Sequence, residues 1–535
     1  MGGSDLPEEL LIRIMRYLRS SIGPTGGLWY DWTPTRYYES VGSENSVDFL
    51  PDGPYADRLL VKPLHDERIS STRTLLSCMR ASQLFRRLAQ AVYYETVYTD
   101  RLLPFVQRCI NQPDLAGHVR ELYISDEMVM GNRGFVPVEL LSDINKAAGH
   151  DSFRSRVLTH GMSYDWSGRR AIPVALVAVV LCTKLERIVV KENARVDRIF
   201  PESPLTDCAA HSRTNDSTAS RVPLSNLRGV AIQARNQSDK GQGPEMDSTT
   251  WVESLARLPK IESIEVSAEC YGVDICWPDA DGSWISNLRS LTIASFRSQR
   301  VADTIRCILT ICPILECLDL TTSPGLSDDP EPSTWSEIGE VLNRQGPCLR
   351  KLRFDNVRHG WDPGLLDVSS LRNLRYLAVT VDALVELHEC EIQGFRDESV
   401  VNGNRHGCGS VHNIEDMWSE TITNAIDEAR RHGSVTASYH EDARDVTRSL
   451  LGDSPDVTLS RLLPDTLQRI RIMNDIDTER VGRHVDERLR DLILDPRFSD
   501  LCDVQVRRRK LFFGHVKDLG WRVERRPFWN VMTRI

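Results

Sequence analysis

Along most of the chain a Leu or Ile stands three residues before an alternating apolar pair, and this unit recurs nine times. The copies begin at Leu185, Leu227, Ile261, Leu288, Leu315, Leu349, Leu374, Leu467 and Leu501, most of them 25 to 42 residues apart. Leu288-Arg289-Ser290-Leu291-Thr292-Ile293 is representative. Apolar residues at every second position predict a short strand with one buried face. Helical periodicity fills several intervals, at 250–257, 301–311 and 336–343. Like strands joined through helices run parallel. Since no single unit can bury its own apolar face, the copies are expected to stack into one curved sheet with an exposed concave side. The strand positions that point away from the core, centrally Glu265, Thr292, Asp319, Arg353 and Ala378, are then the candidate binding surface. Scattered αβ units in a compact domain are the alternative, which the sequential order and the lack of a phosphate-binding glycine turn disfavour.

The N-terminus has a different period. Residues 5–18 read as a capped helix, with Asp5 as the cap, Glu8 as its acidic partner and Pro7 in the one turn that tolerates proline. Leu6, Pro7, Leu10, Leu11, Ile14, Met15, Tyr17 and Leu18 fall within about half the circumference, and Glu8, Glu9, Arg13, Arg16 and Arg19 occupy most of the rest. One supporting layer covers roughly 100° of a helix. The excess predicts two packing surfaces, one within the domain and one outside it.

Leu6-Pro7-x-x-Leu10-Leu11-x-x-Ile14-x-x-x-Leu18 resembles the first half of an F-box. Residues 74–97, with the small-residue segment Cys78 to Ser82 and the run Phe85-Arg86-x-Leu88-Ala89, resemble its second half. The resemblance covers about forty residues of 535. It implies docking on the Skp adaptor of a cullin-RING ubiquitin ligase, while the rest of the chain holds a protein substrate. By position, Leu6, Pro7, Leu10, Leu11, Ile14 and Leu18 on the first helix, with Leu75, Leu76, Cys78, Ser82 and Phe85 on the second, would form or support the adaptor interface. The chain departs from the pattern in the segment 19–73 between the halves, which is rich in Gly, Pro and Ser and carries Trp29, Trp32, Tyr37 and Tyr38. Loop closure costs only about 0.6 kcal/mol per doubling of length, so the two halves can still meet.

The recurring unit looks like an irregular leucine-rich repeat, and the chain is similar in layout to F-box families expanded in filamentous fungi. The implied organisation is α/β. An F-box-like helical module spans 1–98, a helical connector with the first repeat-like units 99–184, and a leucine-rich-repeat-like solenoid 185–387. An insertion with one helix near 414–429 spans 388–460, and terminal repeats with a C-terminal cap span 461–535. The rival reading is a leucine-rich-repeat scaffold unrelated to ubiquitin, whose N-terminal helices belong to its own fold.

Composition narrows the function classes. A net charge of −10 over 535 residues argues against a general nucleic-acid binder. The basic run Arg507-Arg508-Arg509-Lys510 is read as a solvated surface. Thirteen cysteines without regular spacing, and no secretory leader, fit the cytosol or nucleus. The longest apolar stretch, 171–182, is too short to span a bilayer and is expected to be a buried helix leading into a strand. No Walker loop, dinucleotide fingerprint, nucleophile elbow or His-Glu-x-x-His is found. Cys307, Cys312 and Cys317 lack the paired spacing of a zinc site and are read as small apolar residues. No cofactor, no metal and no catalysis by the chain itself are expected.

Overall fold

A computed structural model describes residues 7–18, 74–99, 102–125, 135–148, 157–159, 163–164, 170–191, 224–234, 249–268, 273–274, 284–297, 300–322, 333–355, 364–384, 458–473, 479–507, 520–525 and 529–534. The inserted segment 19–73 with its aromatic residues, the segment 385–457 with its expected helix, and Arg508 to Lys510 lie outside the described residues.

All nine units form strands, and all nine lie in one sheet. Its parallel strands are β1 (Thr96–Thr99), β2 (Glu121–Ser125), β6 (Arg187–Lys191), β7 (Gly229–Ala234), β8 (Ser263–Ala268), β10 (Ser290–Arg297), β11 (Cys317–Thr322), β12 (Lys351–Asp355), β13 (Tyr376–Val379), β14 (Arg469–Ile472) and β15 (Asp503–Arg507), neighbouring one another in sequence order. A short strand β9 (Val273–Asp274) adds to β10. The C-terminal end turns antiparallel, where β17 (Trp529–Arg534) pairs with β15 and β16 (Trp521–Arg525) pairs with β17. A separate antiparallel trio joins β3 (Phe135–Pro137), β4 (Ser163–Tyr164) and β5 (Arg170–Pro173).

Each unit is built alike. Its first residue closes a turn, as when the Leu315 amide donates to Cys312 O at 3.1 Å and that of Leu374 to Leu371 O at 2.9 Å, except at Leu288, whose amide donates to Ser286 Oγ at 3.3 Å. The carbonyl of the second residue accepts two amides from the next unit, so that Glu262 O takes Arg289 N at 2.8 Å and Ser290 N at 3.0 Å. Arg289 O then takes Glu316 N at 2.8 Å and Cys317 N at 2.9 Å. This sets the register, in which Leu291 stands beside Ile264 and Leu318. Asparagines just before the unit fasten neighbouring turns, Asn287 Nδ2 donating to Pro259 O and Asn373 Nδ2 to Pro347 O, each at 2.7 Å.

The second positions also alternate in charge from Glu95 through Arg120, Glu186, Arg228, Glu262, Arg289 and Glu316 to Arg350. Arg228 pairs with Glu262 at 3.2 Å, Arg289 with Glu316 at 2.7 Å, and Arg120 with Glu186. These side chains are largely solvent-exposed, so each pair contributes at most about 1 kcal/mol.

The apolar face of the sheet packs on helices that include Leu102–Asn111, Val174–Leu181, Val301–Ile311 and Trp335–Gln345, giving one continuous core. The expected helices at 250–257, 301–311 and 336–343 appear as Thr249–Ala256, Val301–Ile311 and Trp335–Gln345. The last carries a capping box, Thr334 Oγ1 accepting the Glu337 amide at 3.1 Å and Glu337 accepting the Thr334 amide at 3.0 Å. The apolar stretch 171–182 is corrected in its first residues. It begins inside β5 and turns helical only after Pro173, whose missing N–H suits the start of a helix. Every residue of Val174–Leu181 is buried.

The described N-terminal residues form three helices, α1 (Glu8–Leu18), α2 (74–81) and α3 (Gln83–Glu95). Pro7 O accepts the amides of Leu10 and Leu11 at 3.0 and 3.1 Å, closing the first turn of α1. Two ion pairs join α1 to α3, Glu8 with Arg87 and Arg16 with Glu95, and both span the same sequence separation of 79. The two helices therefore run in the same direction. α3 passes into β1 without a loop, and Glu95 meets both Arg16 at 2.9 Å and Arg120 at 3.5 Å.

Candidate functional site

The three N-terminal helices enclose a small core of their own. Met15, Leu75, Ala89 and Val92 are buried there, with Ile12, Cys78, Met79, Phe85 and Tyr93 packed around them. The i, i+4 geometry of α1 puts Leu11 and Met15 on the inner stripe and Leu10 and Ile14 on another. Leu10 is 42% exposed, Ile14 41%, and Leu76 on α2 39%. Among the described residues only six large apolar side chains are exposed, so three of them on one pair of helices is a concentration.

The residues expected to form or support an adaptor interface thus divide. Pro7, Leu10, Ile14 and Leu76 are exposed, whereas Leu11 and Leu75 are buried. Cys78 and Phe85 are half-buried against the module core. Ser82 caps α3, its Oγ accepting the Phe85 amide at 3.2 Å, and this accounts for a small polar residue there. Leu6 and the side chain of Leu18 lie outside the described residues.

The second candidate surface is the sheet face turned away from the helices. Register places Glu265, Thr292, Asp319, Arg353, Ala378 and Arg471 in one row across β8 to β14. The row points as expected, but its openness is corrected. Glu265 and Thr292 are partly exposed, while Asp319 is 2% exposed, Arg353 6% and Ala378 0%. Ala378 packs with Met473, Val531 and Tyr376 in an apolar cluster on that face. Asp319 and Arg353 form a buried ion pair with Nη1 and Oδ2 3.7 Å apart. Burial pushes the Glu265 carboxyl up to about 8, and the charge of Asp319 adds to the rise. Lys351 stands over the Tyr376 ring, 5.4 Å from its centre. The sequence pattern identified neither Arg471 nor the buried threonines Thr321 and Thr380 on this face, although i, i+2 spacing from Asp319 and Ala378 marks the threonines.

Among the described residues no group of His, Cys, Asp and Glu is arranged to hold a metal ion. Burial pushes the Cys312 thiol up to about 12, the reverse of what a nucleophile needs. No described helix is long and apolar enough to cross a membrane. No protein-family model matches the chain, and no curated protein matches it.

Proposed function

We propose that this chain is a substrate-recruiting subunit of a cullin-RING ubiquitin ligase, docking on the Skp adaptor through α1 and α2 as an interrupted F-box and holding substrate on a stack of leucine-rich-repeat-like units. The observation that carries the reading is the exposure of Leu10, Ile14 and Leu76 on a helical module that already has a core of its own. A scaffold that kept these helices for its own fold would have reason to cover them. Burying a Leu or Ile side chain is worth about 1.5 to 3 kcal/mol, so these anchors with Pro7 can outweigh part of the cost of association. The role is proximity: a substrate held beside a ubiquitin-charged enzyme gains effective concentration without any catalytic group from this chain. The cytosol or nucleus is the expected setting.

The test is binding of the full chain to purified Skp adaptor, comparing wild type with the double substitution Leu10→Asp, Ile14→Asp. Submicromolar binding that falls at least a hundredfold in a variant of unchanged circular dichroism is the expected result. A wild-type chain that folds and does not bind removes the ligase reading in favour of the repeat scaffold.

A further inference from the structure

Asp319 Oδ1 and Thr321 Oγ1 are buried without a hydrogen-bond partner among the described residues, and both lie on β11 facing away from the helices. Asp319 is 2% exposed and Thr321 3%, so water cannot serve them freely. A buried polar atom left unmet costs about 1 to 3 kcal/mol, which a ligand donor would recover. Asp319 Oδ2 faces Arg353 at 3.7 Å, beyond ordinary hydrogen-bond length, and this leaves the carboxyl group poorly satisfied.

On the neighbouring strands the same face is more open. Thr292 on β10 stands beside Asp319, Glu265 on β8 stands beside Thr292, and both are partly exposed. Neighbouring strands are about 4.8 Å apart, so the two carboxyl groups start roughly 10 Å apart at the backbone with only a threonine between them. The patch offers acceptors and hydroxyls. The nearest cations lie on β12, where Arg353 is engaged by Asp319 and Lys351 leans toward Tyr376 on β13.

We propose that Glu265, Thr292, Asp319 and Thr321 form a subsite for one cationic side chain, lysine or arginine, of a bound substrate segment. This rests on the proposed function only in calling the partner a substrate; the subsite itself is argued from the sheet face. A basic side chain entering past Glu265 brings N–H donors to Asp319 Oδ1 and Thr321 Oγ1 and a positive charge between two carboxyl groups. An anion would meet Asp319 unfavourably. The charged and titratable groups facing Glu265 are Asp319 and Cys317 on β11 and Lys351 on β12; β10 presents Thr292 and β7 presents Ala231 at the neighbouring positions. Because Glu265 holds its proton at neutral pH, cation binding should expel it and strengthen as the pH rises.

The experiment uses the immobilised full chain and four pools of randomised decapeptides with Arg, Lys, Gln or Glu fixed at the centre. The Arg or Lys pool should be retained at least tenfold over the Gln pool, with about a tenfold gain from pH 6.5 to 8.5. Glu265→Gln keeps the shape and the neutral form present at pH 7, so it should fold, lose the pH dependence and bind more weakly. Asp319→Asn should abolish the preference. Equal retention of Arg and Gln pools, preference for the Glu pool, or an undiminished preference in both variants overturns the proposal. Displacement of the peptides by micromolar spermidine would overturn the side-chain assignment in favour of a free polyamine. The adaptor-deficient Leu10→Asp, Ile14→Asp chain should retain the same pools, so loss of adaptor binding and loss of the subsite are read separately.

Discussion

Leu10 and Met15 belong to the same short helix, yet Leu10 is 42% exposed and Met15 1%. Their substitutions should separate accordingly. Met15→Ala leaves a cavity among Leu75, Ala89 and Val92 and is expected to cost about 2 to 5 kcal/mol in urea unfolding of the N-terminal module. Leu10→Ala should stay within about 0.5 kcal/mol, its effect falling on the proposed adaptor contact. Glu265 makes a residue-scale prediction of another kind. Its carboxyl rises from 4.5 to about 8 on folding, so between those values the folded chain binds a proton that the unfolded chain has lost. Stability contributed by this group is therefore complete below about pH 4.5, falls as pH rises through the window, and is flat above it. Melting temperatures at pH 5.5 and 8.5 should accordingly differ more in wild type than in Glu265→Gln. An equal difference in the two proteins would show that Glu265 titrates normally.

At the scale of elements, the nine strands were legible because each combines an alternating pair with a Leu or Ile three residues earlier, and that residue closes a turn whose geometry recurs. β2 has the same unit with Val119 in the leading place, and β1 has Tyr94 there. A leading position read as any large apolar residue recovers β2, whereas β1 also has Thr99 where the second apolar residue of the pair would stand. The antiparallel pair β16 and β17 follows no such unit, because an edge hairpin needs no helix and no matching turn. The α1 surplus was legible as a second surface, but the split between Leu10 and Leu11 depends on where α2 and α3 cross, which periodicity does not carry. Alternation likewise told which face Asp319 and Arg353 share and not that the face is covered. Gly339 makes an element-scale prediction. In helix Trp335–Gln345 an added Cβ would stand 2.7 Å from Asp367 O. Although Ala is the better helix former by about 1 kcal/mol, Gly339→Ala should lower the melting temperature, because the close atom is backbone of the adjoining segment. A raised melting temperature would mean that helix propensity dominates there.

Among the described residues two cores of unequal size lie on the helical side of the chain, beside the small cluster of Ala378, Met473 and Val531 on the opposite sheet face. The sheet core runs without a break from Tyr94 on α3 to Met532 on β17, whereas α1, α2 and one side of α3 share a cluster centred on Met15, Leu75, Ala89 and Val92. Opening α1 would expose little apolar surface compared with parting β10 from β11, so the module should unfold locally before the sheet does. What opposes that opening is the junction at Glu95, which ends α3, precedes β1 and holds Arg16 and Arg120 together. Hydrogen exchange should therefore show amides of α1 opening at lower free energy than those of β10 to β12. Arg16→Gln should lower the α1 value by up to about 1 kcal/mol while leaving the strands unchanged. If the proposed adaptor binds, it should raise α1 protection toward that of the sheet, since a partner that binds only the formed helix stabilises it by mass action. If α1 and β11 instead exchange together in the free chain, the module and sheet form one cooperative unit, and the exposed Leu10 and Ile14 belong to a helix that is already fully ordered before any partner arrives.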